Sequence, residues 1–178
     1  EYVVMKRLKT PYPTAQELSR LQSEFSLLQK IHHPHIARAL ALEPYENSQA
    51  LILEDQPGIP LSEYLQKGPL DLGLFFELAL QMTDALQSLH HERIVYKSLA
   101  PGNILFDPKE GILKLYGFNL AVEMGREAQQ PSASEAFEAG LTYVSPEQTG
   151  RMNRSLDHRT DLYSLGAVFF FLMIRRPP

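Results

Sequence analysis

Side chains whose type and spacing could do chemistry are thinly spread along this chain. Lys6 closes a short β-prone run, Val3-Val4-Met5, and Glu24 lies eighteen positions on, in a helical stretch. Taken alone, a Lys on a strand and a Glu on a helix are usually solvated charges. Ser98 and Asn103 lie in the segment Ile94-Val95-Tyr96-Lys97-Ser98-Leu99-Ala100-Pro101-Gly102-Asn103-Ile104-Leu105. A serine hydroxyl does not accept a proton near neutral pH as a carboxylate does. His32, His33 and His35 have no fourth ligand at zinc spacing and are expected to shape a loop. His90 and His91 suit a helix C-terminus, where cationic groups are favourable. Arg151, Arg154 and Arg159 are expected in salt bridges, and Ser132, Ser134 and Thr142 as ordinary solvated hydroxyls that could accept phosphate.

The elements that must position these residues follow from hydrophobic periodicity. Thr14 with Glu17 three residues on forms a capping box that opens a helix. Leu18, Leu21, Phe25, Leu28 and Ile31 give that helix one apolar face, and His32-His33-Pro34 ends it. Residues 36–42 and 50–53 read as strands joined by the polar turn 43–49, and Gln56-Pro57-Gly58 is a break. A short helix is expected over 61–65 and a long one over 71–91, the latter with Phe75, Leu78, Met82, Leu86 and Leu89 on one side. Residues 104–106 and 112–116 read as a hairpin, and 123–138 as a mobile loop. The apolar stretch 157–174 is expected to be a buried helix, with Phe169-Phe170-Phe171 in the core. Strands early and helices late predict an α+β fold.

Composition narrows the function classes. The chain has 178 residues, 44% of them hydrophobic and 21% charged, which fits one globular domain. A net charge of −4 gives no footprint for nucleic acid, and the absence of cysteine excludes disulfides and zinc–thiolate sites. The apolar run from Leu165 to Ile174 is too short to span a bilayer.

The segment 94–105 resembles the catalytic loop of a protein kinase, His-Arg-Asp-Leu-Lys-Pro-x-Asn followed by two apolar residues. Leu99, Pro101, Asn103, Ile104 and Leu105 keep its frame. The run Val3-Val4-Met5-Lys6 is similar to the family's Val-Ala-Ile-Lys strand. The resemblance implies that Lys6 holds the α- and β-phosphates of ATP and that Glu24 pairs with it. Leu51-Ile52-Leu53-Glu54-Asp55 resembles the strand entering the interlobe hinge, which makes Leu53 and Glu54 the expected adenine-binding positions. Thr142-Tyr143-Val144-Ser145-Pro146-Glu147 and Asp161-Leu162-Tyr163-Ser164-Leu165-Gly166 resemble the end of the activation segment and the start of the central buried helix. The longer run 145–154 and Lys97 resemble the Ser/Thr-kinase-type domain at the N-terminus of bacterial multi-sensor proteins. The implied fold is bilobal: an N-lobe over 1–54 and an incomplete C-lobe over 55–178. The tail 169–178 departs from the family, and the glycine-rich loop and later C-lobe helices are not found in the sequence.

The departures fall on the catalytic set. Ser98 stands where the family has its catalytic Asp, and Gly117 where it has the metal-binding Asp of Asp-Phe-Gly, leaving Asn103 as a weak metal ligand. Ala100 replaces a phosphate-contacting Lys, Gly140 a loop Thr, and Tyr96 the His that packs on the Phe of Asp-Phe-Gly, here Phe118. A cytoplasmic pseudokinase is therefore expected, binding ATP weakly or not at all with a weakened Mg²⁺ site. It would regulate neighbouring ATPase, sensor or histidine-kinase domains, or partner signalling proteins, without nucleic acid. An active Ser/Thr kinase with an atypical site and a nucleotide-independent scaffold remain the alternatives.

Overall fold

The computed structural model describes residues 2–55, 57–125, 141–149 and 156–176. The expected break at Gln56, most of the expected loop (126–138), Ser132, Ser134, Gly140, Arg151, Arg154 and the last two tail residues lie outside them. The first third of the chain builds an antiparallel sheet in the order β1-β3-β2 from β1 (Val3–Arg7), β2 (Ala39–Tyr45) and β3 (Ser48–Glu54). Central β3 buries Ala50, Leu51 and Leu53, and Lys6 on β1 lies opposite Leu51. Tyr45 pairs with Ser48, so β2 and β3 are joined through Glu46 and Asn47 rather than by the seven-residue turn expected. Glu46 takes a positive φ of 51°, as such tight hairpins demand.

Helix α1 (Ala15–Leu28) covers this sheet, and its capping box is fully formed. The Glu17 backbone N–H donates to Thr14 Oγ1 at 3.2 Å, and the Thr14 N–H donates to Glu17 Oε2 at 2.8 Å. The buried face carries Leu21, Leu27 and Leu28, and with them Glu24. Ile31 lies past the helix end but still reaches the core. The second strand starts at Ala39, not Ile36, because residues 35–37 are stitched to another strand. The Leu115 N–H donates to the His35 carbonyl, and the Ala37 N–H to the Leu115 carbonyl, both at 2.9 Å.

That strand is β7 (Ile112–Leu115), which pairs with β6 (Ile104–Asp107), and β4 (Ile59–Pro60) completes a second sheet. Helix α2 (Leu61–Tyr64) runs into a 3-10 turn over Leu65–Lys67. Helix α3 (Leu72–His91) is capped by Asp71 and buries Leu78, Met82, Ala85, Leu86 and Leu89. Gln81 on α3 grips the β6–β7 hairpin, accepting from the Leu113 N–H at 2.8 Å and donating to the Gly111 carbonyl at 2.7 Å. A short pair, β5 (Ile94–Val95) with β8 (Val122–Glu123), was not evident from periodicity. Helix α4 (Arg159–Ile174) packs on α3. Of the three phenylalanines expected in the core, Phe169 and Phe171 pack partly buried against it, but Phe170 is exposed. Consecutive helical residues are 100° apart, so three in a row cannot share one face.

Two substitutions test these elements by urea unfolding. Thr14→Ala should cost about 1 kcal/mol through loss of the cap. Leu89→Ala should cost roughly 2–5 kcal/mol through the cavity it leaves between α3 and its neighbours.

Candidate functional site

Lys6 and Glu24 meet. The Lys6 Nζ lies 2.7 Å from both Glu24 carboxylate oxygens, with Glu24 only 2% exposed and Lys6 34%. Glu24 is buried because the α1 face that carries Leu21 and Leu28 turns it inward, and a buried carboxylate needs partners. It has a second one in the Phe118 backbone N–H, which donates to Oε1 at 3.1 Å. One carboxylate thus ties together β1, α1 and the 3-10 turn Phe118–Leu120.

The loop after β5 is held from the other side by Asp161, fully buried in the first turn of α4. The Tyr96 N–H donates to its Oδ2 at 2.9 Å and the Lys97 N–H to its Oδ1 at 2.8 Å. His90, at the end of α3, places Nε2 2.8 Å from Oδ2. Beyond the helix-end role expected from sequence, His90 therefore bridges α3 to α4. Lys97 is a buried residue at φ 66°, a left-handed conformation that a non-glycine side chain adopts only where its surroundings impose it. Asp161 fixes its N–H, and Gln148 Nε2 donates to its carbonyl at 3.0 Å. Ser145 and Gln148 are buried, Thr160 Oγ1 donates to Glu147 at 3.0 Å, and Ser164 Oγ donates to the Tyr143 carbonyl at 2.7 Å, docking residues 143–149 onto α4.

Ser98 is 2% exposed, and its hydroxyl has no hydrogen-bond partner among the described residues. Its carbonyl accepts from Asn103 Nδ2 at 2.8 Å. The other end of that amide faces Gly117: a Cβ built on Gly117 would lie 3.3 Å from Asn103 Oδ1. Gly117 has φ +76°, where glycine is unstrained. Side chains 98, 103 and 117 offer a divalent cation one neutral amide oxygen and one hydroxyl, and no carboxylate. Mg²⁺ requires a near-octahedral set of hard oxygen ligands, usually with one or two carboxylates, so residues 98, 103 and 117 do not fit it. Among the described residues no three His, Cys, Asp or Glu side chains gather as a metal site, and His33 instead lies 3.2 Å from Asp84.

Two phenols line the same region. The Tyr96 ring packs on Phe118 with centroids 4.7 Å apart, and its hydroxyl donates to the Tyr116 carbonyl. The Tyr116 hydroxyl donates to the Gly102 carbonyl. Burial pushes the Tyr96 phenol well above its usual value near 10, helped by the charge of Asp161, and burial also raises Tyr116.

Over residues 1–178 the sequence matches the protein kinase domain family. The chain belongs to the protein kinase family. It is 27% identical to the serine/threonine-protein kinase nekl-2 of Caenorhabditis elegans, over 96% of this chain and 49% of that protein. It is 30% identical to the serine/threonine-protein kinase Pkn1 of Myxococcus xanthus, over 95% of this chain and 24% of that protein. It is also 31% identical to the peroxide stress-activated histidine kinase mak2 of Schizosaccharomyces pombe, over 98% of this chain and 8% of that protein. The chain thus spans half or less of each of these relatives. The family uses ATP and magnesium. In this kinase domain a β-sheet region carries Lys6 and a mainly helical region carries Ser98 and Asn103.

The residues singled out from sequence come together unevenly. Lys6 and Glu24 join Phe118, and Ser98, Asn103 and Gly117 form one contiguous patch beside them. Leu53 turns into the core, and the Glu54 N–H is taken by the Arg38 carbonyl at 3.0 Å, while its exposed carboxylate lies 3.8 Å from Lys114. An amide offered to an adenine would have to come from beyond Glu54. Of the three arginines expected in salt bridges, Arg159 is described and pairs with Asp157, pulling that carboxyl down to about 2. Sequence reasoning placed Asp161 on its helix but gave it no role. The signal was there: an acidic residue followed only by apolar and small neighbours has to find buried donors.

Asp161→Ala should cost roughly 3–5 kcal/mol in urea unfolding, because it strands two buried N–H groups and a histidine. Alkaline stability tests the phenols. The unfolded chain ionises its tyrosines near 10, whereas the folded chain resists ionisation at Tyr96 and Tyr116. Their contribution is therefore complete below pH 10 and is lost as pH rises above it. The thermal midpoint should fall with pH above 10, and less steeply in Tyr96→Phe than in the parent.

Proposed function

We propose that this kinase domain is a pseudokinase, one that binds ATP weakly through Lys6 and transfers no phosphate. The observation that carries this reading is the patch Ser98–Asn103–Gly117: a serine without a proton-accepting partner beside a glycine without a side chain. An ammonium has three N–H groups, and Glu24 occupies two directions of Lys6, which leaves one for a phosphate oxygen. The lysine can thus hold a nucleotide without a metal. Loss of a positioned proton acceptor costs about 10²–10⁴ in rate. Loss of the metal removes several kcal/mol more of transition-state stabilisation. From a typical turnover of about 1–100 s⁻¹, the product falls near or below about 10⁻⁴ s⁻¹ if the effects multiply, which coupled groups do only approximately.

The domain then acts through its shape. Its partners on this reading are ATPase, sensor or histidine-kinase domains of a longer chain, in a cytoplasmic and bacterial setting. The likeness to mak2, a histidine kinase of which the match covers a small fraction, supports a kinase-shaped module within a longer signalling protein. No helix among the described residues is long and apolar enough to cross a membrane. The division into a lobe over 1–54 and another over 55–178 belongs to the same reading.

Thermal stability followed with ATP, with and without Mg²⁺ or Mn²⁺, alongside γ-phosphate transfer, tests it. The expected result is stabilisation that needs no metal, is lost in Lys6→Ala and is unaccompanied by transfer. Transfer abolished by Lys6→Ala would establish an active kinase instead. Absence of stabilisation by any nucleotide would favour a scaffold that binds only proteins.

A further inference from the structure

Gly117 stands at φ +76°, a conformation that glycine adopts without strain and also leaves readily. With no side chain it cannot hold its own turn, so its neighbours must fix it. Both neighbours are gripped by one residue. Tyr96 is fully buried, and Asp161 fixes its N–H, so its side chain starts from a set position. The Tyr96 hydroxyl donates to the Tyr116 carbonyl, before the glycine, and lies 3.4 Å from the Asn103 carbonyl oxygen. The Tyr96 ring packs on Phe118, after the glycine, with the two planes inclined at 44°. On the side of α1 the turn is less closely held. There Phe118, Leu120 and Val122 border a cavity of about 690 Å³, with Arg20, Ser23 and Leu27 of α1 opposite. The Phe118 N–H does reach Glu24 on that side, but the same carboxylate is shared with Lys6.

We propose that Tyr96 is a clasp across Gly117: its hydroxyl before the glycine and its ring after it hold residues 116–120 in a single conformation and keep the Lys6–Glu24 pair in register. Both ends of the phenol are needed. A ring without the hydroxyl would still pack on Phe118 but would leave the Tyr116 carbonyl without its donor. A partly buried acceptor deprived of its donor gains by turning toward another, and the glycine that follows puts up no side-chain barrier to that rotation. The clasp deepens the reading above, in which the domain acts through its shape. Residues 118–123 form one wall of the cavity, so a turn held in one conformation presents partners with one wall.

Nitrogen-15 relaxation dispersion reads exchange between conformers on the μs–ms scale and tests the clasp. It would be measured on the full chain as the parent, Tyr96→Phe and Tyr116→Phe, with near-UV circular dichroism verifying each fold. Tyr116→Phe is the control, because it removes a hydroxyl from the same turn whose bond to the Gly102 carbonyl lies outside the clasp. The parent and Tyr116→Phe should give flat profiles over residues 116–121. Tyr96→Phe should show exchange confined to those residues, with the minor conformer several-fold to about tenfold more populated, the scale of one hydrogen bond. Lower overall stability would not produce this pattern, because the unfolded chain is populated at only about 10⁻³–10⁻⁶ and its exchange would not be confined to one turn. Exchange over 116–121 in the parent overturns the clasp whatever the variants do. So do flat profiles in Tyr96→Phe, or equal exchange in Tyr116→Phe. Transfer of γ-phosphate by the parent would overturn the pseudokinase reading instead, and the dispersion profiles would still decide the clasp.

Discussion

Asp161 is the constraint on which the site depends. A fully buried carboxylate must be surrounded by donors, and here they are the backbone N–H groups of Tyr96 and Lys97 and the ring of His90. Those contacts fix the loop through its main chain, so its path does not depend on which side chain sits at 98. The same main-chain path would carry a serine or an acidic residue at 98. The left-handed Lys97, which places Ser98 where it is, is imposed by Asp161 on one side and Gln148 on the other. The shape of the loop is thus set by α3, α4 and residues 145–148 and not by the side chain at 98.

The second half of the site follows the same logic with a different carboxylate. Glu24 holds Lys6 from β1 and the Phe118 N–H from 94 residues further along the chain. It joins the sheet region to the helical region across a polar contact that burial strengthens. Phe118 in turn meets the Tyr96 ring, so the two carboxylates are linked through one aromatic pair. Gly117 directly precedes Phe118 and, having no side chain, faces the Asn103 amide oxygen bare.

Much of this was legible in the sequence, for identifiable reasons. The α1 cap and the apolar faces of α1 and α3 follow from local rules of spacing and capping, and they stand where spacing put them. The loop frame was legible because Leu99, Pro101 and Asn103 recur in a fixed order. What escaped was non-local. Residues 35–37 looked apolar enough to begin β2 but are consumed by β7, a pairing between segments far apart in the chain. The β5–β8 pair is too short to show a period. Phe170 could not share the core with both its neighbours. Asp161, Gln148 and Tyr116 act through main-chain groups, and a main-chain acceptor or donor leaves no mark in composition.

On the proposed reading, residues 98, 103 and 117 offer a metal ion no carboxylate. Paramagnetic line broadening measures that directly. The amide resonances of Ser98, Asn103, Gly117 and Phe118 would be followed while Mn²⁺ is added to the nucleotide-free protein, since ATP would itself carry Mn²⁺ into the site. No selective broadening of these four amides relative to a diamagnetic Mg²⁺ control is the result predicted. Selective loss of the Asn103 and Gly117 signals at low Mn²⁺ would place a metal in the site and contradict the account.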